Sequence, residues 1–248
     1  MNTNIANSIA RVQGTQLKKA VVLFSRIKLN TAEAILSVRQ GSISIASIYG
    51  GTGLRVTLPS DSIGKDDCEI NLGSLKEILS GVKGIIEIAT NGAVIINTTS
   101  GEIMLPYNPA KLVLPNVKSE VASVGSRELL KSLTKLLPLS ATSENQRNLY
   151  GVLVENTDKG LRFVASDGFR LGYVDTPAVV SKSESVMIPL YFAKLLQGII
   201  KLVPESEVSI RTDKSAVKVQ SEYFELVFPR PDFEFPDYRR ILPSGFKA

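Results

Sequence analysis

A serine stands beside an aspartate in the stretch FVASDGFRLG, residues 163–172. These are the residue types of a nucleophile and an acid, but adjacent strand residues point to opposite faces, so Ser166 and Asp167 would not face one substrate. The chain contains no histidine, which removes the usual base that activates a serine. Ser-His-Asp, Cys-His and histidine–zinc chemistry are therefore excluded, and we interpret the pair as part of a turn.

Two other features resemble chemical sites only superficially. The loop Gly50-Gly51-Thr52-Gly53 lacks the Lys-Ser/Thr pair and the following helix of a phosphate-binding loop, so we predict a hairpin there. Cys68 is the only cysteine, which rules out an internal disulfide and leaves a thiolate metal cluster without ligands. We interpret it as an idle thiol in a loop, and we expect no enzyme activity, metal or cofactor.

Length and composition are those of an ordinary globular protein. The chain has 248 residues, 44% of them apolar and 21% charged, with a net charge of +5. No apolar run approaches the roughly 20 residues that span a bilayer, and the N-terminus has no signal-peptide pattern. We therefore expect a cytoplasmic protein that does not enter a membrane.

Four segments have apolar residues at helical spacing: 14–28, 73–83, 126–137 and 189–201. We predict Ser74 and Ser126 as N-caps, Pro138 as the stop of the third helix, and Pro189 in the first turn of the fourth.

Short alternating runs bounded by turn residues predict strands, mostly antiparallel because their connections are short. The runs are 34–38, 41–48, 54–58, 85–89, 93–97, 102–107, 151–155, 160–166, 170–174, 185–188, 207–211, 216–220 and 223–228.

The helices and strands recur at an offset of about 122 residues. Ile86 and Ile88 of IIEIATNGAVIIN match Val208 and Ile210 of EVSIRTDKSAVKV. Proline and small polar residues interrupt the pattern near 114–123. We predict an α+β chain of two domains, 1–118 and 119–248, each with two helices packed on antiparallel sheet.

The predicted helices carry eleven basic residues and only two acidic ones. An ordinary solvated helix face normally mixes both signs, so an excess repeated in four helices favours binding to a polyanion. Lysines without interleaved aromatic residues favour phosphate contacts and thus weak, sequence-independent attraction to nucleic acid. If the repeated domains close into a ring lined by these helices, double-stranded DNA would be retained by enclosure. The predicted DNA-binding residues are Lys18, Lys19, Arg26, Lys28, Lys76, Lys83, Arg127, Lys131, Lys135, Lys194 and Lys201.

Three stretches of the second half carry a family resemblance. They are LYGVLVENTDKGLRFVASDGFRLGYV (149–174), VMIPLYFAKLLQGI (186–199) and EFPDYRRILP (234–243). The turn DGxRL followed about 65 residues later by FPDYRR resembles the middle domain of the bacterial sliding clamp family, the beta subunits of DNA polymerase III. The first half matches this family only in the order of its helices and strands.

The resemblance implies repeated clamp domains that form a ring, and a DNA sliding clamp that acts as a replication processivity factor. It implies DNA polymerase and a clamp loader as partners, which bind through short peptides in a pocket beside the turn. It also makes Arg147 a candidate DNA contact. The pocket residues it implies are Leu149, Ser166, Gly168, Phe169, Arg170, Leu171, Pro236, Tyr238, Arg239, Arg240 and Ile241. Tyr238 fits core packing as well as the pocket wall.

The sequence departs from the family pattern in two respects. Phe169 stands where the family usually has histidine, which makes the pocket wall more apolar. Family members have three domains, and this chain ends just after the second. The ring of the family has six domains, which three chains of two domains would supply, so we predict a homotrimeric ring closed head to tail. The resemblance to the interface strand of the family points to Ile103 and Leu105, on an edge strand, as contacts with the next subunit. The alternatives are a truncated chain, a monomer that needs a partner, and a non-ring adaptor that binds clamp-partner peptides.

Overall fold

The computed structural model describes residues 8–27 and 33–242. Its four α-helices are α1 (Gly14–Arg26), α2 (Leu72–Ile78), α3 (Ser126–Leu136) and α4 (Leu190–Ile200). Its strands are β1 (Ser8–Gln13), β2 (Glu33–Arg39), β3 (Ser42–Tyr49), β4 (Thr52–Pro59), β5 (Asp61–Gly64), β6 (Asp66–Asn71), β7 (Ile85–Thr90), β8 (Ala93–Thr98), β9 (Gly101–Pro106), β10 (Asn108–Pro109), β11 (Glu120–Gly125), β12 (Gly151–Thr157), β13 (Gly160–Ser166), β14 (Leu171–Thr176), β15 (Val179–Val180), β16 (Val186–Pro189), β17 (Glu207–Thr212), β18 (Ala216–Gln220) and β19 (Phe224–Pro229).

The strands form three antiparallel sheets. Five strands have the order β5-β1-β7-β8-β9, and four have the order β14-β13-β12-β16. The largest sheet has ten strands in the order β10-β6-β2-β3-β4-β19-β18-β17-β11-β15. It is continuous because β4, from the first half of the chain, pairs with β19, from the second.

The two halves have the same topology. The order β5-β1-β7-β8-β9 in the first half corresponds to β15-β11-β17-β18-β19 in the second, and β6-β2-β3-β4 corresponds to β16-β12-β13-β14. Ile86, Ile88, Val208 and Ile210 are all buried, as the predicted repeat requires. The repeat of elements is confirmed, whereas the boundary between residues 118 and 119 stays a prediction.

The four helices form one layer across both halves. Contacts join α2 to α1, α1 to α4 and α4 to α3. The buried residues of α1 and α3, such as Leu17 and Leu133, recur at helical spacing and pack in the core with the sheets. The amide of Gln197 on α4 donates to the Thr134 hydroxyl on α3, at 2.9 Å. The opposite faces of the helices are left to solvent.

The helix ends differ from the prediction in their details. Asn71, not Ser74, caps α2: its side-chain oxygen accepts the N–H of Ser74 at 2.9 Å. Ser126 is the first residue of α3 rather than its cap, and its hydroxyl accepts the N–H of Ser206. Helix α2 ends at Ile78, ahead of the expected Lys83, since glycines follow and Gly84 has a φ of 82°.

Pro138 lies in a short 3-10 turn that follows α3, and Pro189 is the N-cap of α4 instead of its first helical residue. The end of the first predicted helix, at Lys28, lies outside the described residues. None of the helices in the described part of the chain has the length and apolar character needed to span a membrane.

All the predicted strands are present, but the sequence prediction missed several others. Strands β1, β6 and β11 were not predicted, and β11 occupies the end of the segment taken as a join. The prediction that Cys68 lies in a loop was wrong: this residue is buried in β6, and burial raises the pKa of its thiol to about 12. A thiol with so high a pKa stays protonated and unreactive.

Candidate functional site

The turn at Ser166 uses the serine hydroxyl and the aspartate carboxylate for its own hydrogen bonds. Ser166 Oγ donates to the carbonyl of Arg170 at 2.9 Å and accepts the N–H of Gly168 at 3.1 Å. Asp167 Oδ1 accepts the N–H groups of Phe169 and Arg170, both at 3.0 Å. The interpretation of this pair as a turn is confirmed, and both side chains hold the backbone in place.

An ion pair locks the far side of the turn. Arg170 Nε donates to Asp167 Oδ2 at 2.8 Å, and Arg170 Nη2 donates to the carbonyl of Pro138 at 3.1 Å. The side-chain hydrogen bond from Arg170, with the backbone N–H groups of Arg170 and Phe169, lowers the pKa of Asp167 to about 2. The carboxylate is therefore charged at every physiological pH.

The locked turn presents Phe169 to solvent. Its side chain is 98% exposed, the most exposed large apolar residue described. Gly168, with a φ of 91°, faces Leu149: a Cβ at this glycine would lie 3.7 Å from Leu149 Cδ1. The structure thus brings Leu149, Gly168 and Phe169 together, as the resemblance implied. Ser166 is buried and supports this surface from beneath.

A second, smaller apolar cluster lies beneath the C-terminal segment. Leu153, Val164, Met187 and Tyr238 form its buried part. The partly buried residues packed against it are Leu171, Tyr173, Phe233, Phe235 and Leu242. Leu171 of the turn and Tyr238 of FPDYRR therefore share one cluster, although 67 positions separate them in the sequence.

Tyr238 belongs to the core rather than to an exposed wall. It is 2% exposed, and its hydroxyl donates to the carboxylate of Glu155. Burial, followed by this hydrogen bond, raises the pKa of Tyr238. Arg239 Nη2 also donates to Glu155, at 2.7 Å, so one buried carboxylate fastens both residues of the motif to β12.

A cavity of about 550 Å³ separates the C-terminal segment from the sheet. Leu153, Glu155 and Met187 form its floor, and residues 230–239 form its other wall. Of the predicted pocket residues, Pro236, Tyr238 and Arg239 line it, whereas the turn residues and Arg240 and Ile241 do not. Ile241 instead lies exposed just beyond it, next to Leu242 of the cluster.

Sequence reasoning missed part of this site. Phe233 and Phe235 contribute to both the cluster and the cavity, and Met187 lies on the floor. The sequence pattern that could have indicated Phe233 and Phe235 is the stretch PRPDFEFPDY, in which phenylalanines alternate with prolines and acidic residues. Alternation of this kind is typical of an extended segment that lays one face on a sheet.

Most of the described helical cations are exposed and lack an acidic partner. Within residues 8–27 and 33–242, only Lys131, paired with Glu128 at 3.0 Å, and Arg127, at 3.8 Å from Glu205, lie within 4.0 Å of a carboxylate. Lys18 donates to the carbonyl of Ser80. Lys28 lies outside the described residues. The remaining described cations in the helices or at their caps are Lys19, Arg26, Lys76, Lys135, Lys194 and Lys201. Lys83, predicted in the second helix, lies instead in the loop that follows it, because α2 ends at Ile78.

Four of these cations meet in a groove between the halves. A groove of about 510 Å³ lies between α1 and α4 and is rimmed by Lys18, Lys19, Arg26 and Lys201. Gly198 allows the close approach of the helices, since a Cβ there would lie 2.9 Å from Leu23 Cδ2. The positive surface is thus continuous across the junction of the two halves.

Arg147 lies outside the four helices. It is exposed in a 3-10 turn, Glu144–Leu149, and faces a cleft that also contains Tyr150 and Phe233. The predicted DNA contact of Arg147 stays a prediction.

The predicted interface residues lie on an edge strand. β9 ends the five-stranded sheet, and Ile103 is exposed while Leu105 is partly buried. Met104, between them, is 62% exposed and was not predicted.

Two further features concern the loop at Gly50 and Gly51 and the arrangement of metal-binding side chains. Gly50 and Gly51 form the two-residue turn between β3 and β4, with φ values of 56° and 79°, so the hairpin is confirmed. Within residues 8–27 and 33–242, no group of three or more metal-binding side chains is placed to hold an ion.

Comparisons with known proteins give matches in sequence and in structure. No model of a known protein family matches the chain. The chain is 26% identical to the beta sliding clamp of Buchnera aphidicola over 249 aligned residues, which cover 96% of this chain and 58% of that protein. The chain therefore spans just over half the length of this relative.

Solved structures share the fold over nearly the whole chain. The DNA polymerase III beta subunit of Thermotoga maritima has a TM-score of 0.76 and 24% identity, and the match covers 97% of this chain and 69% of that one. The Pseudomonas aeruginosa sliding clamp bound to griselimycin also has a TM-score of 0.76, with 18% identity and coverage of 96% and 69%. The sequence match and the shared fold agree with the motifs of the second half: the chain is similar in sequence to the bacterial-type sliding clamps, the beta subunits of DNA polymerase III, and has their fold.

Proposed function

We propose that the chain is a DNA sliding clamp, a replication processivity factor that encircles duplex DNA and tethers DNA polymerase. The observation that carries this proposal is the helix layer, which runs across both halves and exposes cations that mostly lack acidic partners. A layer of this kind, on a fold shared with DNA polymerase III beta subunits, suits a surface that follows phosphates without reading bases.

The proposed ring contains three copies of the chain. Each copy has two topologically equivalent halves, so three copies supply the six repeats that the resemblance requires for closure. Strands β9 and β14 lie at sheet edges and are available for contacts between copies. A closed ring needs an opening step, so the proposed partners include a clamp loader as well as DNA polymerase.

The proposed partner site is the surface formed by Leu149, Phe169, Leu171 and Ile241. It combines a rigid turn with exposed apolar side chains, which suits short extended peptides that dock through aliphatic and aromatic residues. Arg170 and Arg240 stand at its margin, and both are already paired with aspartates. The proposed function requires no catalytic group.

Retention on circular DNA tests the proposal. The dissociated chain, at nanomolar concentration, is mixed with nicked circular DNA and then concentrated, so that it assembles in the presence of the circle. We expect the protein to remain with the circle through gel filtration at 0.5 M salt and to leave it after cutting at one site. Equal retention on circular and linear DNA, or none on the circle, would overturn the clamp and leave the non-ring adaptor.

A further inference from the structure

We propose that the groove between α1 and α4 is a second binding site, which takes an acidic segment of a partner protein with an apolar side chain between its carboxylates. The binding goes beyond the proposed clamp, because it needs neither a ring nor DNA. One consequence rests on the proposed function: a segment bound in this groove would compete with DNA for the same cations.

The rim of the groove is positive and contains no carboxylate. Its cations are Lys18, Lys19 and Arg26 on α1 and Lys201 at the C-cap of α4, and none of its lining residues is acidic. Among the described residues, no carboxylate lies within 4.0 Å of any of these four side chains. Lys18 donates to a neutral acceptor, the carbonyl of Ser80, at 2.7 Å. Four charges that are not neutralised around one groove favour an anionic ligand.

The floor of the groove is apolar. Val22 and Leu23 of α1 form it together with Gly198 of α4 and Leu202 just beyond that helix. Val22 and Leu202 are partly exposed, so hydrocarbon is accessible between the cations. A DNA duplex presents phosphates and sugars on a convex surface and keeps its bases stacked inside. DNA therefore accounts for the cations of the rim but not for the apolar floor between them.

Gly198 keeps this floor open where the helices cross. A Cβ at this position would lie 2.9 Å from Leu23 Cδ2 and 3.8 Å from Arg26 Nη1. The Arg26 guanidinium therefore lies beside the apolar floor. The hydroxyl of Tyr191 on α4 donates to the carbonyl of Arg26, which fixes this end of the crossing. A carboxylate bound to Arg26 would thus hold its apolar neighbour in the sequence against the floor.

The spacing of the cations matches an extended peptide. Lys18 and Arg26 are eight positions apart on one helix, which corresponds to a rise of about 12 Å. An extended chain rises about 3.3 Å per residue, so carboxylates three or four positions apart span the same distance. The groove volume of about 510 Å³ accommodates the side chains between them.

Cations on both sides of the floor favour a peptide over an anion with a single charged group. Lys201 lies at the end of α4, whereas the other three cations lie on α1. An acyl carboxylate would pair with one side and leave the other side unpaired. A peptide with acidic residues before and after an apolar residue would pair with both sides.

Peptide affinity tests the site. The probe is a fluorescein-labelled hexapeptide of two leucines flanked on each side by two acidic residues, and its binding to the full chain is read by anisotropy at low salt. We expect it to bind at least about tenfold more tightly than the same labelled peptide with serines in place of the leucines, because only leucines gain from the apolar floor. Equal binding of the two peptides, or no binding of either, would overturn the site.

A variant without the apolar floor separates the peptide from DNA. Val22→Ser/Leu202→Ser keeps all four cations, so the affinity for the leucine peptide should fall about tenfold while the affinity for a short duplex stays unchanged. Unchanged peptide affinity, or an equal loss of duplex affinity, would contradict the proposed floor. Val22→Ser alone is the second variant in case the first does not fold, because Leu202 packs against the core.

The matched control is Ile241→Ser, at an exposed apolar residue of the proposed partner site. It should bind the acidic peptide normally, and a loss of binding in this variant alone would place the leucines at that surface. Displacement of the probe by less dodecanoate than unlabelled peptide would make an acyl anion the occupant. A changed oligomeric mass in Val22→Ser would make the groove a contact between copies. Each of these three results would overturn the proposal.

Competition with DNA tests the consequence. An unlabelled short duplex should release the labelled peptide, since both ligands use the cations of the rim. A peptide that stays bound at saturating DNA would overturn the competition. Peptide binding by a chain that is not retained on circular DNA counts against the clamp alone, whereas retention without peptide binding counts against the groove alone.

Discussion

Asp167 determines the shape of the turn that presents Phe169. Its carboxylate accepts two backbone N–H groups and the Arg170 side chain, and its pKa is lowered to about 2. A lowered pKa in the folded state means that the charged form stabilises the fold. This contribution is present above the ordinary value of 3.8 and is lost as the pH falls through about 2.

We predict that the Asp167 carboxyl titrates near pH 2 and that Arg170→Gln moves the midpoint up towards 3.8, because the largest cause of the shift is removed. Carbon-13 NMR of the aspartate carboxyls measures both values. Asp213 is a suitable internal control, since backbone and side-chain bonds from Ser215 and Ala216 lower its pKa without Arg170. A midpoint for Asp167 near 3.8 in the original chain would contradict the described turn.

Ile241 gives a prediction about partner binding. Its side chain is 69% exposed, so Ile241→Lys removes an apolar contact for a peptide but little packing within the fold. We expect the affinity for a short fluorescein-labelled peptide of leucine and phenylalanine residues, measured by anisotropy, to fall at least about tenfold, with the melting temperature unchanged. The variant Val179→Lys, which changes a similarly exposed residue on β15 at the end of the ten-stranded sheet, should bind the peptide normally. Equal losses in both variants would place the site elsewhere.

The turn was predictable at the residue level, whereas the cavity was not. An Asp-Gly pair after an apolar run signals a turn in any sequence. The burial of Tyr238 depends on Glu155, which lies 83 residues earlier in the chain, and no local pattern indicates that pairing. For this reason the sequence alone did not decide whether Tyr238 packs in the core or forms part of the pocket wall.

Secondary-structure elements were predictable where one face is apolar. Helices α1 and α3, and hairpins such as β3–β4, combine clear periodicity with turn residues. Strand β6 begins with Asp66 and Asp67, and β11 contains alanine, serine and glycine, so neither carries a strand pattern. Both become strands because they complete a sheet: β6 pairs with β2, and β11 pairs with β17.

The helix layer gives a prediction about DNA. Each phosphate contact adds about 0.9 to the slope of the logarithm of the DNA association constant against the logarithm of the salt concentration. We therefore expect the slope to become about three units shallower in the triple variant Lys19→Glu/Lys135→Glu/Lys194→Glu. Anisotropy of a short labelled duplex over a salt series measures it. The control, Lys111→Glu/Lys159→Glu/Lys214→Glu, changes net charge equally at exposed lysines outside the helices. Similar slopes for the two variants would mean that overall charge, and not the helix layer, attracts DNA.

At the scale of the whole molecule, the repeat leads to a prediction about assembly. Light scattering at micromolar concentration should give the mass of three chains of 26.9 kDa each. Met104→Asp should give the mass of one chain, because an unpaired carboxylate would be buried in the proposed subunit interface at β9.

The control for this change lies on the other edge of the same sheet. Ile63 on β5 is also exposed, and Ile63→Asp should leave the mass at three chains. A single-chain mass for the unaltered protein would contradict the ring, and loss of assembly in both variants would mean that the β9 edge has no special role.

The close packing of Gly198 against Leu23 bears on whether the copies close into a flat ring or continue as a helical filament. We expect this contact to help set the angle between α1 and α4, an angle that every copy would repeat. Head-to-tail units close only when the accumulated rotation returns to its start; otherwise they continue as a helical filament. Gly198→Leu would push α1 and α4 apart, and negative-stain electron microscopy should then show lock-washer arcs instead of flat circles. Flat circles would mean that the sheet junction, not the helix crossing, governs closure.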